Sequence, residues 1–422
     1  MENVYLFDEA YEICLAHARA TESEVVSVFE AQGRFLAADV VAAIDVPPFR
    51  RAMMDGFAVH GDDCEVTGRP LRVIGTVAAG GAWAQSSSEV SGNSIEERDT
   101  AAQLRVEPGT AARIMTGAPV PANAKSVVRF EWCAQNEDGT ITVLRSAKRG
   151  ESIQPVGEDG RQGQVLLRRG TRLGPTEISV CRTFGVFSVF VSRRPTVSIL
   201  VTGSELVEQP RPLQQGQIYG TNDAFLSGLL EMDGVQMRSV EYVSDNPRLI
   251  EDKLVTAAAE ADYVILTGGV SAGDFDFVPD ILARLGGHLA LKKILLRPGS
   301  PFVLTTIGSA TVFALSGNPG AAFVQFECLV RPVVQKTLGL TAPLFPASGK
   351  LRHAVELKPI KHVRVFRGHA RIENGEVWID TEMAQSSGVV SSFAHANCLV
   401  RLDANSLPAG AVVPLRWYKP LF

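Results

Sequence analysis

The segment that decides the fold is YVILTGGVSAGDFDF, residues 263–277, in which four apolar residues run straight into a glycine-rich turn. A short, unbroken apolar run bounded by a turn reads as a strand buried on both faces, with the turn leading to a helix packed on the sheet. The pattern recurs around it. From Thr196 onward the spacing predicts strands over 197–201, 235–243, 263–266, 289–295, 302–305 and 312–315, interleaved with helices over 222–232, 247–261, 278–285 and 321–338. This alternation predicts a mainly parallel sheet covered by helices, a three-layer α/β domain. Asn222 is expected as an N-cap, Gly234 as a helix stop, and Pro247 as a first helical residue behind the cap Asn246.

On either side the chain turns to short β segments. A helix is expected over 6–18, then strands over 71–77, 112–115, 127–132 and 140–144, separated by Gly, Pro and Asp-Gly turns. Residues 82–107 read as an exposed polar excursion, and 150–172 as a Gly- and charge-rich connection. After Pro343 and Pro346, strands are expected over 351–357, 363–372, 377–380, 398–402 and 412–417, with a hairpin turn at Asn374-Gly375. A chain of 422 residues needs several cores. The expected organisation is a discontinuous, elongated linking domain (1–45 and 141–175), a small β domain (46–140), an α/β domain (176–340) and a C-terminal β domain (341–422).

With 45% apolar residues, 21% charged residues and a net charge of −5, the composition is that of a folded, soluble chain rather than a nucleic-acid binder. The acidic start, MENVYLFDEAYEICLA, and the lack of a long charge-free apolar run predict a cytoplasmic protein with no membrane partner. Six cysteines without C-x-x-C spacing read as reduced, buried thiols. Seven dispersed histidines without H-E-x-x-H offer no histidine-built metal site.

Three glycine-bearing turns end predicted strands: 201–205, 267–274 and 316–320. In an open parallel sheet the strand C-termini share one edge, so these turns should converge on a single crevice. Gly269-Val-Ser271-Ala-Gly273 also fits the G-x-S-x-G elbow of a serine hydrolase, which would need an acid and then a base such as His288 or His353. The other reading uses the backbone N–H groups of Gly268, Gly269 and Gly273 with the Ser271 hydroxyl to hold an anion, and Asp274 and Asp276 to hold a hard cation such as Mg²⁺. Those aspartates serve equally as caps for the helix that follows. Lys293 and Arg297 are four residues apart and would share one face of an extended strand, facing a phosphate or other oxyanion.

Taken together, Arg51-Ala-Met-Met-Asp-Gly-Phe-Ala-Val59, Ile114-Met-Thr-Gly-Ala-Pro-Val-Pro121, Gly157-Glu-Asp159, Thr202-Gly-Ser-Glu-Leu206, Gly268-Gly-Val-Ser-Ala-Gly273 and Gly317-Asn-Pro319 give a chain that resembles the MoeA family of molybdopterin molybdenumtransferases and the gephyrin E domain. The resemblance implies a four-domain homodimer with its active site at the subunit interface, in contact with a molybdopterin adenylyltransferase and molybdoenzyme maturation partners. It also implies insertion of molybdenum from molybdate into adenylylated molybdopterin, with release of AMP and help from Mg²⁺ or another divalent cation. Carried over by position, the catalytic residues are Asp55, Asp159, Glu205, Asp276 and Lys293, with Glu205, Asp274 and Asp276 toward the metal. Substrate contacts fall on Thr116, Gly117, Asp245, Gly268, Gly269, Ser271, Gly273, Arg297, Ser316, Gly317, Asn318 and Pro319.

The chain departs from the family pattern at Ser204 and Gly220, where the family has aspartates, and at Ser300, where it has lysine. Arg297 stands for another lysine, Ser316 for a proline, and Ser152 and Gln154 for an asparagine and an arginine. A second reading is therefore a catalytically weakened relative that binds molybdopterin or its nucleotide as a carrier or scaffold.

Overall fold

The computed structural model describes residues 4–80, 83–85, 104–270, 277–340 and 342–419. Ser271, Gly273, Asp274 and Asp276 lie outside the described residues. So does most of the 82–107 excursion.

The strand that opened the reading, Tyr263–Thr267, lies in the interior of a seven-stranded sheet, flanked on both sides by parallel strands. The strand order is Val4–Tyr5, Leu291–Ile294, Pro301–Ile307, Ala310–Leu315, Tyr263–Thr267, Thr196–Thr202, Gln236–Val243. The last four run parallel to one another, and Pro301–Ile307 is antiparallel to both of its neighbours. Along the central strands alternate residues enter two cores. Tyr263 and Ile265 pack with Ile199, Phe313 and the Phe323 helix, while Val264 and Leu266 pack with Leu200, Leu254 and Ile281. That two-sided burial is why every residue of Thr196–Thr202 is buried and the strand is mostly apolar without alternation, Thr196, Ser198 and Thr202 being its buried polar residues.

The helices fall close to their expected places. Asn246 caps Pro247–Glu260 by accepting from the amides of Arg248 and Leu249, and Gly234, at φ +85°, ends Asn222–Met232. Asn222 is not the cap. Thr221 occupies that position, and the Asn222 amide instead donates to the Gly317 carbonyl at 2.9 Å. The last long helix contains a π turn at Phe326–Val330.

Three boundaries differ from expectation. Val4–Tyr5 adds a strand beside Leu291–Ile294, and the helix Phe7–Ala16 buries Phe7, Ala10 and Cys14 in the α/β core, so the first turns of the chain do not belong to the linking domain. Conversely, Pro175–Thr183 and Ser188–Ser192 pack with Val28, Leu36 and Leu173 in the linking domain rather than in the α/β domain. The 140–143 strand likewise pairs within the small β domain, in the sheet built from Pro70–Val77, Thr110–Ile114, Gly56–His60 and Ala124–Arg129.

The C-terminal domain is a closed barrel, because Val363–Glu373 pairs with Glu376–Asp380 on one side and Cys398–Leu402 on the other. Asn374 and Gly375, at φ +52° and +80°, make the expected hairpin turn. The strand expected over 351–357 is instead Ala347–Leu351 followed by the short Val355–Glu356. Gly349 lets Ile379 and Val377 press on the backbone there, since an added Cβ would lie 2.9 Å from each.

Barrel and α/β domain share packing. Phe323 of the α/β helix packs at a tilt against Phe393 and edge-to-face against Tyr418, with centroids 4.7 and 4.8 Å away, and each such pair is worth about 1 kcal/mol beyond area burial. A buried ion network joins the same two bodies. Glu327, with no exposure, accepts from Arg331 at 2.6 Å and from Arg416 of the barrel at 3.0 Å, and Arg331 also grips Asp233. All six thiols are free and five are buried. Among the described residues no helix is long and apolar enough to cross a membrane.

Candidate functional site

The three glycine turns do converge, and glycine is what lets them touch. Gly268 adopts φ +100°, and a Cβ on it would fall 2.5 Å from the Thr202 hydroxyl and 2.6 Å from the Thr202 carbonyl. Gly317 packs on Gly268 in turn, since its own Cβ would sit 3.4 Å from the Gly268 Cα. The contacts are bonded as well as tight. The Gly268 amide donates to the Leu315 carbonyl at 3.0 Å, and the Thr202 hydroxyl to the Thr267 carbonyl at 3.1 Å.

A fourth turn at the same edge, 296–301, lies where Leu291–Ile294 ends and the antiparallel Pro301–Ile307 begins. Buried Gln325 clamps it, donating to the carbonyls of Gly299 and Pro301 at 2.9 and 2.5 Å while accepting from the Ser316 amide at 2.8 Å.

These turns form one wall of a crevice of about 1120 Å³, and the barrel forms the other. Glu205, Asp245, Gly268, Gly269, Arg297, Ser316, Gly317, Asn318 and Pro319 all line it. The sheet order sorts them by charge. Glu205 and Asp245 follow the two strands at one end of the sheet, Ser316–Pro319 follows a central strand, and Arg297 lies toward the other end.

From the barrel, Lys358, His362 and Arg364 face the same space as Arg297, making that end cationic. Burial, then the charges of Arg297, Arg364 and Lys293, push the His362 imidazole below its ordinary pKa, and its Nδ1 is buried with no hydrogen-bond partner among the described residues. Arg364 is held by Asn405 and the Lys358 carbonyl. The loop bearing Gln385, Ser386 and Ser387 closes the barrel side. Buried Arg367 donates to the Ala384 and Ser386 carbonyls at 2.8 and 2.9 Å, and the Gly320 amide donates to the Ser387 carbonyl at 2.7 Å.

At the acidic end, Asp245 does not cap the 247–260 helix. Its carboxylate accepts from the Ser204 amide at 2.9 Å, and its own amide donates to the Ser204 hydroxyl at 3.1 Å. Ser204 therefore ties the two acid-bearing turns together. At Gly220 an added Cβ would run into the Tyr242 hydroxyl and ring, so the phenol occupies the room a side chain there would need. The Ser300 hydroxyl is spent on its own turn, donating to the Ile294 carbonyl at 2.7 Å.

Asp55, Thr116, Gly117, Asp159 and Lys293 do not line this crevice. Asp55 lies in the small β domain, where it accepts from the Thr116 amide and hydroxyl at 2.6 and 2.8 Å. Those bonds, helped by Arg113, hold its carboxyl below the usual aspartate range. The Asp159 amide donates to the Val46 carbonyl at 3.0 Å, in a turn of the linking region. Lys293 and Arg297 do not share one strand. The strand ends at Ile294, and Leu296–Arg297 pairs instead with Val363 and Arg364 of the barrel.

The hydrolase reading loses its bases, because neither His288 nor His353 lines the crevice. Phe277 occupies the N-cap position of Val278–Arg284, and the two aspartates expected as caps or metal ligands, Asp274 and Asp276, lie outside the described residues. The barrel wall and Ile218-Tyr219 were not foreseen from the sequence, although the basic run Lys358-Pro-Ile-Lys-His-Val-Arg364 was there to be noticed.

Three family models match in succession: the MoeA N-terminal region (domain I and II) over residues 6–185, the probable molybdopterin binding domain over 198–336, and the MoeA C-terminal region (domain IV) over 350–415. A molybdopterin molybdenumtransferase of Bacillus subtilis is 33% identical over 410 residues, covering 94% of this chain and 90% of its own. One from Haemophilus influenzae is 32% identical and covers 95% of each chain. The crystal structure of a molybdopterin biosynthesis MoeA protein from Pyrococcus horikoshii OT3 superposes with a TM-score of 0.76 at 27% identity, covering 99% of this chain and 100% of that one.

Proposed function

Because the chain belongs to the MoeA family of molybdopterin molybdenumtransferases, transferases of molybdenum cofactor biosynthesis, we propose that its crevice takes adenylylated molybdopterin and molybdate, moves molybdenum onto the dithiolene and releases AMP. The observation that carries this reading is the sorting of charge along one edge of the sheet, carboxylates at one end and cations at the other. A substrate with a diphosphate link and a separate oxyanion calls for both.

The carboxylates of Glu205 and Asp245 are hard oxygen donors on adjacent strand ends, which suits Mg²⁺ or another small divalent cation. Asp274 and Asp276 are the further candidates for it. When bound, such a cation neutralises charge on the diphosphate oxygens and polarises the phosphorus. Ser204 keeps Asp245 in place for that role. The Gly268 and Gly269 turn brings backbone close to the phosphates without side chains in the way. Arg297, Lys358 and the partly committed Arg364 supply positive charge for molybdate, and the unprotonated His362 adds a neutral polar group rather than a fourth cation.

In this reading the protein acts as a cytoplasmic homodimer. Exposed Asp55 with Thr116 and Gly117, together with Asp159 and Lys293, complete the site from outside the crevice, the small β domain being presented by a second copy. The test is to add molybdate, Mg²⁺ and adenylyl-molybdopterin to purified protein. Molybdate-dependent AMP release, with product that activates an apo-molybdoenzyme, is expected, and its absence would remove the proposal. A second reading, a binding protein with weakened turnover, draws on Ser204, Gly220 and Ser300, none of which supplies the charge found in the family. It predicts tight nucleotide binding without molybdate-dependent AMP formation.

A further inference from the structure

The acidic end of the crevice has a wall that carries neither charge nor a phosphate-sized turn. Leu206–Val207 and Ile218–Tyr219 pair in parallel as a two-stranded ribbon apart from the main sheets. Ile218 and Tyr219 both line the crevice, yet they are 53% and 47% exposed. Large apolar side chains left in water inside a ligand crevice mark a contact surface.

The ring of Tyr219 is also anchored. Its hydroxyl donates to the Arg211 carbonyl at 2.6 Å, which satisfies the polar edge and limits rotation without using the ring face. The ribbon is tied to the acid that precedes it, because the Ile218 amide donates to the Glu205 carbonyl at 3.0 Å. The ribbon that carries the aromatic face is therefore tied to the backbone of Glu205.

Building on the transferase reading above, we propose that Tyr219 is the platform on which the adenine base of the adenylylated substrate stacks, with Ile218 lining the same crevice beside it. Charge decides between the two planar rings of that substrate. Molybdate is an anion and belongs at the Arg297, Lys358 and Arg364 end, so the dithiolene and its pterin must point there. The diphosphate then lies over Glu205 and Asp245, and the adenosine falls on the ribbon beyond them. Aromatic stacking is the interaction a flat, weakly polar base makes with such a wall, and it tolerates variation in the base edge.

The experiment measures binding of AMP, ribose 5-phosphate and 6-hydroxymethylpterin to the full chain by calorimetry with Mg²⁺ present, for the wild type, Tyr219→Phe and Tyr219→Leu. Leucine keeps apolar volume and removes the ring, and thermal melts confirm that both variants fold. Tyr219→Leu is expected to weaken AMP about tenfold and to leave ribose 5-phosphate and the pterin unchanged, while Tyr219→Phe keeps most of the AMP affinity. Unchanged AMP binding in Tyr219→Leu would overturn the assignment. So would loss of pterin in place of AMP, or an equal loss of ribose 5-phosphate, which would indicate a collapsed ribbon. A wild-type chain that takes up no AMP would overturn the transferase reading as well, whereas wild-type binding with an indifferent Tyr219→Leu removes the platform alone.

Discussion

Glu327→Ala is the substitution whose cost the structure sets most clearly. The carboxylate has no exposure, sits in the π turn, and accepts two charge-assisted hydrogen bonds, from Arg331 at 2.6 Å and from Arg416 at 3.0 Å. Without it Arg331 keeps Asp233, at 2.6 and 2.9 Å. Among the described residues Arg416 keeps longer contacts, to the Leu344 carbonyl at 3.4 Å and the Gln335 side chain at 3.3 Å. A hydrogen bond to a charged group nets about 1.5–3 kcal/mol, so losing both costs roughly 4 kcal/mol, in line with the 3–5 kcal/mol typical of stripping one partner from a buried pair. Glu327→Gln retains an acceptor oxygen and should cost about half as much. In urea, followed by the fluorescence of Trp378 and Trp417 in the barrel, a slope near ~2 kcal/mol/M turns these costs into midpoint shifts of about 2 M and 1 M. A shift below about 0.5 M for alanine would refute the view that this network holds the two bodies together.

His362 should stay neutral at pH 7, because burial and the neighbouring cations disfavour its charged form. As the pH falls below the unfolded value, about 6.5, the unfolded chain takes up the proton first. This group's contribution to stability then declines until the folded imidazole titrates as well. Arg297→Met, or molybdate bound beside it, should raise the imidazole pKa in an NMR titration; no movement in either case would place the cations too far away to matter. Gly220→Ala should destabilise by about 1–3 kcal/mol through overpacking against Tyr242, and Tyr242→Leu in the same chain should recover much of that loss in urea unfolding. Fully additive losses would mean the two positions do not compete for space.

Strand existence was readable wherever burial on both sides left an apolar run, as at Thr196–Thr202 and Tyr263–Thr267. Turn chemistry was readable where backbone geometry demands glycine, as at Gly268 and Asn374-Gly375. What failed were inferences that extended a local period across a break. Lys293 and Arg297 have even spacing, but the chain changes sheets between them, a tertiary event with no local signature. Asn222 is a good cap by type, yet the Gly317 carbonyl captures its amide from 95 residues away. The domain boundaries slipped for the same reason. The helix at 7–16 looks like any amphipathic helix, and nothing in its own residues says that its partner surface is the α/β core. The acidic half of the crevice could be inferred from strand ends, whereas the cationic half needed a second domain laid against them.

The short strand Leu296–Arg297 follows a strand of the α/β sheet and pairs with the barrel strand Val363–Glu373, and the Val363 amide donates to the Leu295 carbonyl at 2.9 Å. The segment that carries a crevice arginine is thus mechanically shared. Amide exchange at Leu296 and Arg297 should slow or quicken with the barrel strand beside it rather than with the rest of the α/β sheet. A lesion inside the barrel, far from any ligand, would then register first as loosened grip on the oxyanion, so a folding defect in one domain would present in the assay as a binding defect in another.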